Sequence, residues 1–355
     1  MDILTRDHFV PHRSTVPAIA GQIVNQFVRE RSPARPHDTA LPPIVLVHGG
    51  FWPGTVAFDP PLAGYSLMES LARSGFATFA PDMTGYGRSP RPMMDDPANL
   101  SPDQRALIGA DAAAQPSYPF QIVNADSERA DLDAIVDFAR ARTGAAKVLL
   151  FGWSGGGFRT GTYTALHADK VEALVIHASS NFEEKDSVFD SPPPLPKPGA
   201  AFQIQDRAVG EGERWLARIR DEGQVERYVP DALWRESMLS DPVGATWGSG
   251  VLRSPGRTYW GWNARIAARV PVPTLVIVGE EDRLIAANRI LFDTLGTDRK
   301  VFIAAASATH FMLWERGRRY LAEAAREWFF ERTFRGTARG AFRLTPDGAT
   351  VNLPS

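Results

Sequence analysis

The chain has no cysteine among its 355 residues. Disulfides, thiolate metal sites and a cysteine nucleophile are therefore excluded, and a reducing, cytoplasmic setting is the expectation. Long hydrophobic runs are missing as well. The first thirty or so residues alternate charged and apolar positions without the unbroken apolar stretch of a signal peptide, and no run approaches the roughly 18 apolar residues of a membrane helix. Nor is there an excess of charge of one sign: 39 Lys and Arg stand against 41 Asp and Glu, for a formal net charge of -2. Neither nucleic acid nor an anionic membrane is an expected partner. No internal repeat occurs, and low complexity is confined to two Pro-rich links, residues 32–43 and 191–198.

What is present is the balance of a globular protein, 44% hydrophobic and 23% charged, with length enough for one large core and a smaller piece. Two β-rich runs, 8–16 and 22–29, are split by Pro17 and Gly21 and predict a leading antiparallel pair. Short apolar runs then alternate with helical spacing. Strands are expected at 44–47, 76–80, 147–151, 171–177, 274–278 and 300–304, with helices at 65–74, 126–143, 155–167, 286–295 and 316–331. Apolar strands alternating with helices imply a mostly parallel sheet covered on both faces, an α/β class. The rhythm stops over 181–271, a tryptophan-rich stretch of mostly helical patterning that reads as an inserted lid. The expected division is a core over 1–180, the lid over 181–271, a second part of the core over 272–335, and a hairpin tail over 336–355 turning at Pro346-Asp347-Gly348.

The most informative segment is Val148-Leu149-Leu150-Phe151-Gly152-Trp153-Ser154-Gly155-Gly156-Gly157. It is a G-x-S-x-G pattern between an apolar strand and a helix, the context in which a serine is held on a strained turn with its Oγ projecting above the sheet. Glycines at 152 and 156 remove the Cβ atoms that would collide there. The alternative is a merely flexible turn, which the flanking strand and helix disfavour.

A serine hydroxyl needs a neighbouring base. Of seven histidines, His310 alone follows the last expected core strand across a short loop, where an imidazole can swing over the carboxyl edge of the sheet. Asp282 ends the preceding strand, 28 residues earlier, and a carboxylate there can fix the imidazole tautomer and stabilise the imidazolium. The adjacent Glu280 and Glu281 read as solvated loop charges, and an acid after the sixth strand, Glu183, Glu184 or Asp186, is the remoter alternative. A second glycine turn, His48-Gly49-Gly50-Phe51, follows a buried strand. The N–H groups of Gly50 or Phe51, with that of Gly155, are candidates for an oxyanion hole, and His48 reads as a structural brace.

The His48-Gly49-Gly50 turn, the segment Asp82-Met83-Thr84-Gly85-Tyr86-Gly87-Arg88-Ser89, the turn around Ser154, the run Gly279 to Asp282 and His310 together resemble the α/β-hydrolase superfamily. The resemblance spans about 44–331, in the branch that holds esterases, iminopeptidases, C–C hydrolases, epoxide hydrolases and dehalogenases. It implies an α/β-hydrolase fold with a mainly helical lid and the order Ser154, Asp282, His310. Serine in place of the aspartate nucleophile argues against epoxide hydrolase and dehalogenase activity, and Phe51 stands where iminopeptidases carry proline after the double glycine. The expected function is hydrolysis of an ester or lactone of a small molecule through an acyl-enzyme, with no cofactor and no metal. C–C or amide hydrolysis, and a catalytically silent binding protein, are the alternatives, and a homo-oligomer is left open. Five of nine tryptophans lie between 181 and 271. Trp215 and Trp234 read as lid core, whereas Trp260 and Trp262, where the lid returns to the sheet, are expected with Trp153 to line an apolar pocket for a cyclic or aromatic substrate.

Overall fold

A computed structural model describes residues 2–34, 41–183 and 191–354. Its centre is one ten-stranded sheet. In chain order the strands are β1 (Ile3–Arg13), β2 (Ile23–Pro33), β3 (Ile44–Val47), β4 (Thr78–Pro81), β5 (Val148–Trp153), β6 (Val171–His177), β7 (Thr274–Gly279), β8 (Lys300–Ala305), β9 (Arg339–Leu344) and β10 (Thr350–Asn352). Their spatial order is β1-β2-β4-β3-β5-β6-β7-β8-β9-β10, and every pairing from β4 to β9 is parallel. The sequences IVLV, VLLFGW, TLVIVG and KVFIAA are buried at every position. That is why they show no period-two alternation: helices cover both faces of the sheet.

In chain order the longer helices are α1 (Leu67–Arg73), α2 (Ala125–Thr143), α3 (Gly155–Leu166), α4 (Val229–Ser240), α5 (Ile285–Thr294) and α6 (Arg318–Glu331); α4 lies in the inserted segment and the other five flank the sheet. Local chemistry sets their ends. The Asn124 side chain accepts from the N–H groups of Asp126 and Ser127 to start α2, and Gly144, at φ 71°, closes it in the left-handed conformation.

The leading pair lies further toward the N-terminus and further along its second strand than the apolar runs predict. Arg6 stands directly opposite Glu30, and Asp7 opposite Arg29, with ion pairs of 3.2 and 2.5 Å. These cross-strand charges extend the pairing where no apolar pattern marks it. The tail does more than form a hairpin. β9 joins the sheet beside β8, and Arg343 grips the Glu280 carboxylate with both arms, at 2.6 and 2.8 Å.

The inserted segment contains the regular helix α4, but 212–221 is not one continuous helix. A π turn, Ala208–Glu213, gives way to a single 3₁₀ turn, Leu216–Arg218, because Gly210 and Gly212 make this stretch a poor α-helix. An antiparallel pair, Phe202–Gln205 with Leu252–Pro255, accompanies it. The segment is also not self-contained. Met94, Leu100, Ile122 and Val123, from the excursion between β4 and α2, share a buried apolar cluster with Ala201, Phe202, Ile204 and Val251, and Val123–Asn124 pairs with Arg257–Thr258. Trp215 packs its ring 5.5 Å from both Phe311 and Trp314, so it docks the insertion on the core instead of filling a lid core of its own.

Candidate active site

Ser154 sits between β5 and α3 at φ 55°, ψ -117°, a conformation a non-glycine residue keeps only when its surroundings enforce it. The enforcement is visible. Its N–H donates to the His177 carbonyl at 2.9 Å and its own carbonyl accepts from Gly157 and Ser180, at 2.9 and 3.1 Å. A Cβ on Gly156 would overlap the Val47 carbonyl, and one on Gly152 would overlap the Thr160 hydroxyl and lie 2.7 Å from the Gly156 carbonyl carbon. A Cβ on Gly49 would stand 2.8 Å from that of Ser154. The three glycines therefore let the first glycine turn, the serine and the start of α3 occupy one small volume.

His310 and Asp282 come together from the loops after β8 and β7. Nδ1 of His310 lies 2.8 Å from Oδ2 of Asp282. A carboxylate only accepts, so Nδ1 carries the proton and Nε2 is left to accept. The other oxygen, Oδ1, accepts from the Leu284 N–H at 2.9 Å. Burial pushes the Asp282 carboxyl up, but the electrostatic pull and hydrogen bond of the His310 ring and the Leu284 N–H outweigh it, and the group is held below the ordinary aspartate value. Glu280 is engaged by Arg343 and Glu281 lies 3.5 Å from Arg220. Of the acids after β6, Glu183 is tied by its backbone to Trp262 and Ala264, while Glu184 and Asp186 lie outside the described residues.

The backbone of His310 is held in turn. Its carbonyl accepts from the Trp153 indole N–H at 2.9 Å, so Trp153, besides lining the pocket, fixes the histidine. Glu315, fully buried, receives the Thr309 N–H at 2.9 Å and the Thr309 hydroxyl, together with Trp215 Nε1 and Gln224 Nε2, each at 3.1 Å. Burial raises its carboxyl pKa against the pull of these donors. One acid thus ties the His310 loop to the inserted segment, a link no motif announces.

Ser154, Asp282, His310, Gly50, Phe51, Gly155 and Trp153 all border one cavity of about 450 Å³. His48 lies behind it. Burial, and repulsion from Arg159, hold its pKa well below the usual histidine value, so the ring is neutral. Nε2 accepts from the Met83 N–H at 3.1 Å, leaving Nδ1–H to donate to the Gly49 carbonyl at 2.7 Å. That bonding makes it a brace for the glycine turn. His8, His12 and His167 are engaged elsewhere, with Glu30, Asp131 and the Tyr163 ring.

Trp260 and Trp262 do not border this cavity, contrary to the sequence-based expectation. Trp262 is buried against α3, where a Cβ on Gly161 would collide with its ring, and its Nε1 donates to Ser179 Oγ at 3.2 Å. Trp260 is buried with Arg129 of α2 5.9 Å from its ring. In the extended run Arg257-Thr258-Tyr259-Trp260, alternate residues face opposite ways, and it is Arg257 and Tyr259 that border the cavity. The expected apolar lining is also corrected. Phe51, Trp52, Trp153, Tyr259 and Phe311 are interleaved with Arg214, Arg218, Arg257 and Arg283. Burial opposes the charge on Arg257, but the Glu128 carboxylate and the Tyr259 and Tyr86 oxygens more than restore it. Among the described residues no group of three His, Cys, Asp or Glu side chains could hold a metal ion, and no helix is long and apolar enough to cross a membrane.

Residues 42–316 match the sequence family described as the alpha/beta hydrolase fold. No curated protein matches the chain by sequence. Among solved structures, a serine hydrolase involved in carbazole degradation is 16% identical, with a TM-score of 0.54 over 91% of this chain and 97% of its own. An esterase from Thermogutta terrifontis is 15% identical, TM-score 0.52, over 90% of this chain and 97% of its own. An enol-lactonase from Burkholderia xenovorans is 18% identical, TM-score 0.52, over 87% and 97% respectively. At such identities the likeness is one of fold.

Proposed function

Since the chain belongs to the α/β-hydrolase family, we propose that it hydrolyses a small-molecule carboxylic ester or lactone through an acyl-enzyme on Ser154. The observation that carries this reading is the 2.8 Å contact of Asp282 with Nδ1 of His310, which leaves Nε2 as the acceptor of a histidine that borders the same cavity as the constrained Ser154. In the first half-reaction Ser154 Oγ bonds to the substrate carbonyl carbon while its proton passes to Nε2 of His310. The imidazolium is stabilised by Asp282. The oxyanion is received by the N–H of Gly155 and by the Gly50–Phe51 turn. Collapse breaks the bond to the alcohol oxygen, which takes the proton back from His310. Water then repeats the sequence on the acyl-enzyme and releases the acid. Protons and electrons balance with serine, histidine and water alone, so the cycle requires no cofactor.

Residues 191–271 of the insertion, with the excursion at 90–124 that packs on them, serve as the cap that shapes the substrate space. The esterase and the enol-lactonase with the same fold act on the bond types proposed here. A panel of alkyl esters, lactones, β-diketones and prolyl amides, run with Ser154→Ala as control, tests the proposal. Ester or lactone turnover abolished by the substitution supports it. Preferred cleavage of the diketones or amides assigns the C–C or amide alternative, and no turnover of any member leaves a binding protein.

A further inference from the structure

We propose that the substrate carries a carboxylate, and that Arg257 is the side chain that recognises it; the position of the reacting carbonyl is taken from the serine-hydrolase reading above. The first observation is an imbalance of buried charge. Glu128, 2% exposed, faces two arginines. Arg159, wholly buried, donates to its Oε1 through Nε at 3.0 Å and Nη2 at 2.8 Å, and Nε of Arg257, 7% exposed, lies 3.0 Å from the same oxygen. Two cations share one anion. Among the described residues no second carboxylate is paired with Arg257: His48 is neutral, and Tyr86 and Tyr259 accept from its Nη2 at 2.6 Å and from its Nη1 at 2.9 Å. A buried charge without a counter-ion is costly. Arg257 borders the cavity, and that is the side from which the missing anion can come.

The second observation is where the guanidinium is aimed. A Cβ built on Gly155 would lie 3.1 Å from Nη1 of Arg257, so this charge stands beside the residue that follows Ser154. Its Nε makes no hydrogen bond of good geometry, and one N–H on each terminal nitrogen remains after the tyrosines are served. The fork is held in place. Tyr86 also bonds Ser254 Oγ at 2.7 Å, and its ring packs edge-on against His48. A fixed planar fork with two unused N–H groups suits a carboxylate. The wider lining agrees. Arg218 and Arg283 also border the cavity, and among the described residues the single carboxylate there is Asp282, already paired with His310. Such a field draws anions in.

The test compares two esters of the same acid, monomethyl glutarate with its free carboxylate and dimethyl glutarate without it, by kcat/KM with acid release followed in a pH-stat. It also measures glutarate binding to Ser154→Ala by calorimetry, a readout that needs no turnover. The wild-type protein is expected to favour the half-ester. Arg257→Met should lower the half-ester to diester ratio about 10- to 100-fold, the range for deleting a charge-assisted hydrogen-bond partner, and Arg257→Lys should retain part of it. The Met variant leaves Glu128 paired with Arg159. Should it fail to fold, the Lys variant and glutarate binding decide. Glutarate binding without hydrolysis of either ester, and with Ser154 of the wild-type protein unlabelled by a small fluorophosphonate, keeps the anion site and overturns the hydrolase reading. Hydrolysis of both esters with no wild-type preference and no glutarate binding keeps the hydrolase reading and overturns the anion site. An equal loss on both esters in Arg257→Met also overturns it, because Arg257 then acts on the shared oxyanion.

Discussion

Asp282→Asn replaces one oxygen by an amide group and should reverse the tautomer of His310. The Leu284 N–H donates to one carboxylate oxygen at 2.9 Å and His310 Nδ1 approaches the other at 2.8 Å. In the variant the amide oxygen keeps the Leu284 N–H, because the amide nitrogen in that place would meet another donor. The NH₂ then faces Nδ1, which becomes the acceptor, and the ring proton moves to Nε2, the atom that in the proposed mechanism takes the proton from Ser154. The corresponding change in a serine protease costs about 10⁴-fold in kcat, or roughly 5.5 kcal/mol of barrier, and a loss of that order is expected here. The retained Leu284 bond should keep the fold intact. The assay is turnover of a chromogenic ester by Asp282→Asn, with Glu280→Gln and Glu281→Gln as controls whose carboxylates face Arg343 and Arg220. Both controls should stay within about tenfold of wild type. An Asp282→Asn rate that close to wild type, or an equal loss in Glu281→Gln, would refute the reasoning.

His177 is fully buried, and burial lowers its pKa from 6.5 to about 4. The unfolded chain therefore binds a proton that the folded one refuses between those values, and about 3 kcal/mol of stability should be lost as pH falls from 6.5 to 4; a urea midpoint that drops no less steeply in His177→Gln contradicts this. Trp262→Ala should cost roughly 3–5 kcal/mol in denaturant unfolding and leave the order of substrates by kcat/KM as it is, while Tyr259→Ala reorders them; the opposite pattern would return Trp262 to the pocket. Glu315→Gln supplies one acceptor oxygen where four donors converge and should cost about 3 kcal/mol, with kcat falling more than KM rises; an unchanged Tm removes the link between this acid and the His310 loop.

The residues around Ser154 were legible because backbone sterics leave little choice. Where Gly152 and Gly156 stand, any Cβ would overlap a neighbour, so the motif and the geometry are one constraint. The placement of His310 beside Asp282 at the cavity was legible from chain order, since the end of a parallel strand says which edge of the sheet the next loop occupies. The run Glu280-Glu281-Asp282 could be ranked only by position, because the partners that separate the three, Arg343, Arg220 and His310, come from distant segments. The tryptophans were misread for a related reason. Arg257 and Tyr259 of this run do border the cavity, but position alone does not say which face of it meets the cavity; the alternation of Arg257 and Tyr259 with Thr258 and Trp260 was the signal available. The apolar residues of the excursion at 90–124 gain meaning only beside those of the insertion. The outer half of the leading pair rests on charges that sequence patterns class with loops.

The claim on which the account depends is that Ser154 is a nucleophile activated by His310. Incubation with a small fluorophosphonate, followed by peptide mass spectrometry, tests it without knowledge of the substrate. The account predicts one covalent adduct on Ser154, lost in Ser154→Ala and formed far more slowly in His310→Ala, with ester turnover in each variant reduced by roughly a thousandfold or more. An unlabelled Ser154, an adduct on another residue, or a Ser154→Ala protein that keeps more than about a tenth of wild-type kcat contradicts it.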